Sequence, residues 1–344
     1  MIMRPSPSIE YIQLPHLYFG GGIERGKRLV IAAESTQGDY YNPLPIGDVE
    51  YAKHVFGSGP LIDRYSDVSL FEEDVYLMRI ERNAFHDVFK CLAPFPLDLL
   101  YVDGLYFDQH YDEIQAFIDF AKEKEHQGQL IHGFINISKD ADIDQVKGQI
   151  RQLSIITEDG TEETGKYLSA VLNQFKNQSA AAVYAGLVAS LDVGKSPVNK
   201  TIDNVELSYE VDDKIKEYRG AGIVCFRQSF KKGVVCASAP CAVATKDSVH
   251  KQISNFRIAQ DIINEIAIMQ QAYVGRIGFN LVVSELETLT EELLLNRVGL
   301  QQIRKYDFEI TGDPINGIIN TSIEVVPIFS IQSMTGYAQV KVRL

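Results

Sequence analysis

The chain has 344 residues, 45% of them hydrophobic and 23% charged, with a formal net charge of −13. That length and balance leave room for two or three folded domains and exclude a disordered chain. The acidic charge argues against wrapping nucleic acid or lying on an anionic membrane, and no run reaches the roughly 18 uninterrupted apolar residues of a membrane span.

The start, Met1 to Pro5, lacks the apolar core of an export signal. Residues 1–22 read as an arm. Within it, Ser8 to Leu14 is an apolar, extended piece set off by Pro5, Pro7 and Pro15, with Ile9, Tyr11, Ile12 and Leu14 as its apolar side chains. Gly20 to Gly22 reads as a hinge between arm and body, since no Gly-Lys-Ser/Thr follows to make it a phosphate loop. Residues 23–92 read as a small, mainly β region, with strands over Arg28–Ala33 and Asp74–Ile80 and a helix near Asp48–Val55.

Residues 93–245 alternate between strands and helices, the pattern of an α/β layer. Leu97–Val102 and Leu130–Ile137 predict strands. Gln109–Glu125 predicts an amphipathic helix that buries Ile114, Phe117, Ile118 and Ala121. Helices are expected over Asp142–Leu153 and Tyr167–Phe175. Ser179–Leu191 is rich in Ala and Gly, so its backbone can pack close to a sheet. Gly222–Phe226 and Gly233–Ala237 read as two more buried strands.

Residues 246–335 read as an α+β domain. Phe256, Ala259, Ile262, Ile263, Ile266 and Tyr273 recur at helical spacing. Ser284 and Glu287 form a capping box ahead of a second helix carrying Leu286, Leu289 and Leu293, with Gly299 at its C-terminus. Strands are expected over Ile303–Ile310 and Ile318–Val326, with a turn at Thr311 to Pro314. Residues 336–344 then alternate strictly: Ala338, Val340, Val342 and Leu344 on one side, Tyr337, Gln339, Lys341 and Arg343 on the other. Such alternation marks a half-buried strand, and a strand needs a hydrogen-bonding neighbour. Apolar strands at both ends point to arms lent to adjacent molecules.

Chemistry-bearing clusters are sparse. Cys91, Cys225, Cys236 and Cys241 show no CxxC pairing and read as buried free thiols, suited to a reducing cytoplasm. Asp103, Asp108, His110, Asp112 and Glu113 cluster after a strand, where acids at a helix start are favoured by its dipole. No metal or cofactor is expected. Arg297, Arg304 and Lys305 gather positive charge late in the chain.

Taken together, these segments resemble contractile tail sheath proteins, which encase bacteriophage tails and related injection machines. The resemblance rests on Gly47-Asp-Val-Glu-Tyr-Ala52 with Phe56 to Leu61, on Ala182 to Ala189 with Ser196 to Asn199, and on Arg257, Tyr273 to Arg276, Gly299 and the closing pair of strands. It covers nearly the whole chain, which is short for the family and has no Trp. It implies a subtilisin-like central layer without a catalytic triad and a C-terminal domain that exchanges terminal strands. It implies a non-enzymatic helical homo-polymer of stacked rings around an inner tail tube protein, flanked by baseplate and tail terminator proteins. Such a sheath is assembled in the bacterial host cytoplasm, ends in the virion tail and contracts to drive the tube through the host envelope. Under that reading Arg297, Arg304 and Lys305 contact the tube. The competing readings are a subtilisin-like serine hydrolase using Asp103, His132 and Ser179, in the order that such a triad takes, and another self-assembling tail component. Asn177-Gln-Ser179 lacks the small residues of a nucleophile turn, and His132 sits in an apolar strand.

Overall fold

The computed structural model describes residues 26–72, 74–157, 160–245, 248–313 and 318–328. In chain order its strands and helices are β1 (Leu29–Ala33), β2 (Leu44–Ile46), α1 (Val49–Phe56), α2 (Pro60–Val68), β3 (Val75–Arg79), α3 (Phe85–Leu92), β4 (Leu99–Tyr106), α4 (Tyr111–His126), β5 (His132–Ile137) and α5 (Ile143–Gln152). There follow β6 (Ser154–Thr157), β7 (Gly160–Glu163), β8 (Leu168–Leu172), α6 (Ala180–Ser190), β9 (Thr201–Ile202), α7 (Ile215–Gly220), β10 (Ile223–Ser229), β11 (Gly233–Ser238), α8 (Ile253–Gln271), α9 (Phe279–Gly299), β12 (Ile303–Asp313) and β13 (Ile318–Pro327).

Nine strands form one mixed sheet in the order β2-β3-β1-β4-β5-β8-β10-β11-β9. The six from β3 to β10 are parallel, while β2, β11 and β9 add antiparallel edges. Strands from either side of residue 93 lie in this one sheet. The central strands are buried on both faces, which is why β1 reads as an unbroken apolar run and β8 as one broken only by Ser169. Side chains alternate across β5: a Cβ on Gly133 would lie 2.7 Å from the Phe117 ring on α4, and Phe134 meets Tyr184 on α6. Helices α4 and α6 therefore cover opposite faces. Helix α6 is buried nearly all round, and at Gly186 a Cβ would fall 2.6 Å from the Val68 carbonyl oxygen on α2. Only a glycine admits that approach.

The expected helix at Tyr167–Phe175 is strand β8 instead. Its apolar run, Leu168 to Leu172, sits between β5 and β10 with every residue buried, and a short continuous apolar run has no period to separate strand from helix. The expected capping box also fails. Ser284 lies inside α9, which begins after Gly278 in a left-handed conformation (φ 95°). Gly299 is the last helical residue, and the left-handed turn that follows falls on Gln301 (φ 57°). Thr311 to Asp313, expected as part of a turn, continue β12 in register with Ile318 to Asn320.

Candidate assembly surfaces

Helices α8 and α9 and the β12–β13 ribbon form a second layer against the amino ends of the parallel strands. A buried polar seam joins it to the sheet. The Asp98 carboxylate, fully buried, accepts from the Gly26 amide at 2.9 Å, from the Arg28 guanidinium at 2.7 and 2.9 Å, and from Asn264 Nδ2 at 3.1 Å. Gln260 Nε2 donates at 2.8 Å to the carbonyls of both Asp98 and Leu130. Arg257, 1% exposed, donates to the Val188 and Leu191 carbonyls at 2.6 and 2.9 Å and to the Gly26 carbonyl at 3.2 Å. Its cation thus sits at the carbonyl end of α6, the negative pole of that helix. Burial pulls its pKa down to about 10, against the attraction of Asp98 and Asp261. Removing one member of the seam would leave its buried partners unpaired, a cost that the low local dielectric enlarges.

The ribbon departs from the rest of the fold. Strands β12 and β13 pair only with each other among the described residues. Their inner face packs on the helices: Ile303, Phe308 and Ile323 against Ile258, Ile262 and Leu294, and Ile310 and Ile319 against Val282 and Leu286. Their outer face carries Lys305, Asp307 and Glu309 beside Ser322, Glu324 and Val326. A two-stranded ribbon is marginal alone, and each open edge presents unpaired N–H and C=O groups. A groove runs along each edge. Beside β12 it is lined by Ser284, Glu287 and Glu291 of α9 together with Glu309. Beside β13 it is more apolar, about 360 Å³, lined by Phe256, Ala259 and Ile263 of α8.

The residues singled out in the sequence fall in three places. Ile9, Tyr11, Ile12, Leu14, Ala338, Val340, Val342 and Leu344 lie outside the described residues. Arg297 is 8% exposed, and its guanidinium meets Asp261 at 2.6 Å, Glu265 at 2.7 Å and Gln302 Oε1 at 2.9 Å, tying α9 to α8. Arg304 and Lys305, in contrast, are exposed on β12. The structure thus separates the three cations that the sequence groups together.

Asp103, His132 and Ser179 divide between two networks. The Tyr101 hydroxyl donates to Asp103 at 2.7 Å and lies 2.9 Å from Ser179 Oγ. Ser179 Oγ accepts from Asn136 Nδ2 at 2.8 Å and caps α6 through the Ala182 amide at 3.3 Å. The His132 ring bonds to Ser169 Oγ at 2.9 Å, not to Ser179, and burial holds its pKa down to about 3. The Ser179 hydroxyl, with its lone pairs committed to two donors, is a helix cap in a closed network. Asp108 accepts from the Ser138 amide, tying the loop after β4 to the end of β5, and His110 accepts from the Tyr106 amide in a turn-closing bond. Among the described residues, no group of three His, Cys, Asp or Glu side chains is placed to hold a metal, and no helix is long and apolar enough to cross a membrane. The thiols of Cys225, Cys236 and Cys241 are buried, and Cys91 donates to the Tyr41 carbonyl.

Sequence reasoning missed the seam on α8. Its signal was present: Arg257, Gln260 and Asn264 recur at i, i+3 and i+7, a polar stripe at the spacing of one helix face beside Phe256, Ile262 and Ile266.

No protein-family model matches the chain, and no curated protein matches its sequence. Solved structures do match its fold. A chain of the anti-feeding prophage baseplate superposes with a TM-score of 0.70 at 13% identity, over 93% of this chain and 94% of that one. The sheath of PVC, an extracellular contractile injection system, in its contracted state matches with a TM-score of 0.70 at 13% identity, over 92% of each chain. A sheath tail protein from Desulfitobacterium hafniense matches with a TM-score of 0.63 at 12% identity, over 95% of this chain and 99% of that one. The fold is therefore that of contractile tail sheath subunits. It is shared over nearly the whole length, by proteins of contractile injection systems and of tails alike.

Proposed function

We propose that this chain is the structural subunit of a contractile tail sheath. Copies polymerise as a helical tube of stacked rings around an inner tail tube and contract to drive that tube through a host envelope. The observation that carries the reading is the β12–β13 ribbon, whose strands of 11 and 10 residues pair only with each other among the described residues, with a groove along each outer edge. The whole-length likeness to sheath proteins supports it.

In this reading residues 8–14 and 336–344 are donor strands. Ile9, Tyr11, Ile12 and Leu14 on one arm, and Ala338, Val340, Val342 and Leu344 on the other, enter the grooves of adjacent copies while backbone hydrogen bonds extend their ribbons. Each such contact is heterologous and propagates as an open helix. The body, with the subtilisin-like layering of the family but no assembled triad, turns as a rigid unit during contraction while the arms stay paired. Arg304 and Lys305 are the exposed cations available to grip the tube; Arg297 supports them by fixing α9 to α8. Baseplate and terminator proteins close the polymer at its two ends in the virion tail, after assembly in the host cytoplasm. No step needs a cofactor.

Negative-stain microscopy of the purified chain tests this. Hollow tubes from the intact chain, and soluble monomers from a chain lacking Tyr337–Leu344, are the expected pair of results. Tubes from the truncated chain would remove the donor-strand reading.

A further inference from the structure

A second contact between copies is written into the sheet itself, at the rim where the parallel strands end. Strand β10 runs parallel to β8 and turns back into β11 through Phe230, Lys231 and Lys232. Phe230 is fully exposed, with a relative accessibility of 101%, and both lysines beside it are exposed. The Phe230 ring is the most exposed large hydrophobic side chain among the described residues, and covering it removes apolar area from water. A basic tip is also unusual in a chain with a net charge of −13.

The same rim carries a cavity of about 570 Å³ where β1, β3 and β4 end. Pro60 and Tyr106 supply apolar wall, and Glu34, Glu81 and Asp103 supply carboxylates, Arg82 being the one guanidinium in the lining and Arg64 lying 3.9 Å from Asp103. The Arg82–Glu34 contact is loose, at 4.0 Å, and both side chains are well exposed. This is the point where successive strands switch from one side of β1 to the other, a place at which sheets of this kind leave an open crevice.

We infer that the Phe230–Lys232 tip of one copy seats in this cavity of a second copy. The ring covers Pro60 and Tyr106 while Lys231 and Lys232 face Glu34 and Glu81. A chain cannot fill its own cavity. Strand β10 stands three positions from β4 and four from β1, roughly 14–19 Å away at the usual strand spacing. Tip and cavity share one rim but lie apart along the sheet, so the contact runs head to tail and repeats. It is independent of the terminal arms and would hold neighbouring bodies side by side. The inference rests on the polymer reading.

The test is a charge swap in the full-length chain, read as the critical concentration for tube formation by sedimentation. All four substituted side chains are exposed, so folding is not at stake. Lys231→Glu with Lys232→Glu raises that concentration on the order of tenfold, as does Glu34→Lys with Glu81→Lys. Combining all four brings it back to within about threefold of the original chain. A tip variant that assembles like the original, or a combined variant no better than either pair, overturns the contact and leaves the polymer reading standing. Failure of the intact chain to form tubes under any condition overturns both.

Discussion

The nine-stranded sheet and the β12–β13 ribbon solve the same problem in opposite ways. In the sheet, six parallel strands pair on both sides and bury both faces, so apolar side chains and backbone groups are satisfied within one molecule. In the ribbon, 11 and 10 residues of strand pair once, rest one face on two helices and, among the described residues, leave both outer edges open. The sheet satisfies its own central strands, whereas the ribbon leaves its outer backbone unpaired among the described residues. Under the proposed function that difference confines strand exchange between copies to the ribbon and leaves the body stable by itself.

The sharpest way to break this contrast is to remove the arms. Deleting Tyr337–Leu344 should abolish tubes altogether while leaving the far-ultraviolet circular dichroism and the thermal midpoint of the body nearly unchanged. Loss of body stability on deletion would mean that the arm belongs to its own fold.

The next largest effect should come from the seam that binds ribbon to body. Asp98→Ala strands the Arg28 guanidinium and the Asn264 amide in a buried site and should cost about 3–5 kcal/mol in urea unfolding. A loss below about 1 kcal/mol would show the two layers to be weakly coupled. Within the body, burial lifts the Asp67 pKa to about 6, against the attraction of Arg64 and the Ser179 amide. The sign follows from linkage. The folded pKa exceeds the unfolded value of 3.8, so this group's stabilising contribution is complete below that value and is lost as pH rises through about 6. Asp67→Asn should therefore stabilise the body at pH 7.5, by about 2 kcal/mol, and lose that advantage near pH 4. His132 acts in the opposite sense. Its folded pKa of about 3 lies below the usual 6.5, so stability falls as pH drops from 6.5 towards 3.

Ser179→Ala should have a smaller effect, about 1 kcal/mol for a lost helix cap, with no change in reactivity towards a serine-directed phosphonate. Labelling of the intact chain that disappears in this variant would revive the hydrolase reading. Reversing the charges of Arg304 and Lys305 should leave the fold intact and weaken binding to a tube; unchanged tube binding would remove them from that role.

Much of the body could be read from residue patterns. The helix burying Ile114, Phe117, Ile118 and Ala121 is where its 3.6-residue period put it, and the apolar runs at Leu29 and Ile223 are strands. Strand β8 was not legible, because a fully buried run carries no period. The start of α9 was obscured by Ser284 and Glu287, which mimic a cap from inside the helix, whereas the true start is a left-handed glycine. The site was harder still. Arg297 and Arg304 are close in sequence, but one folds inward onto Asp261 and the other outward from a strand, a difference set by tertiary packing. The cavity at the sheet rim draws on four separate segments, so no local pattern announces it.

Hydrogen exchange on β12 and β13, compared between dispersed subunits and assembled tubes, probes the unfinished ribbon most directly. Amides that point away from the β12–β13 pairing should exchange freely in the dispersed chain and become strongly protected in the tube. Equal exchange in both states would mean that no neighbouring strand ever completes those edges.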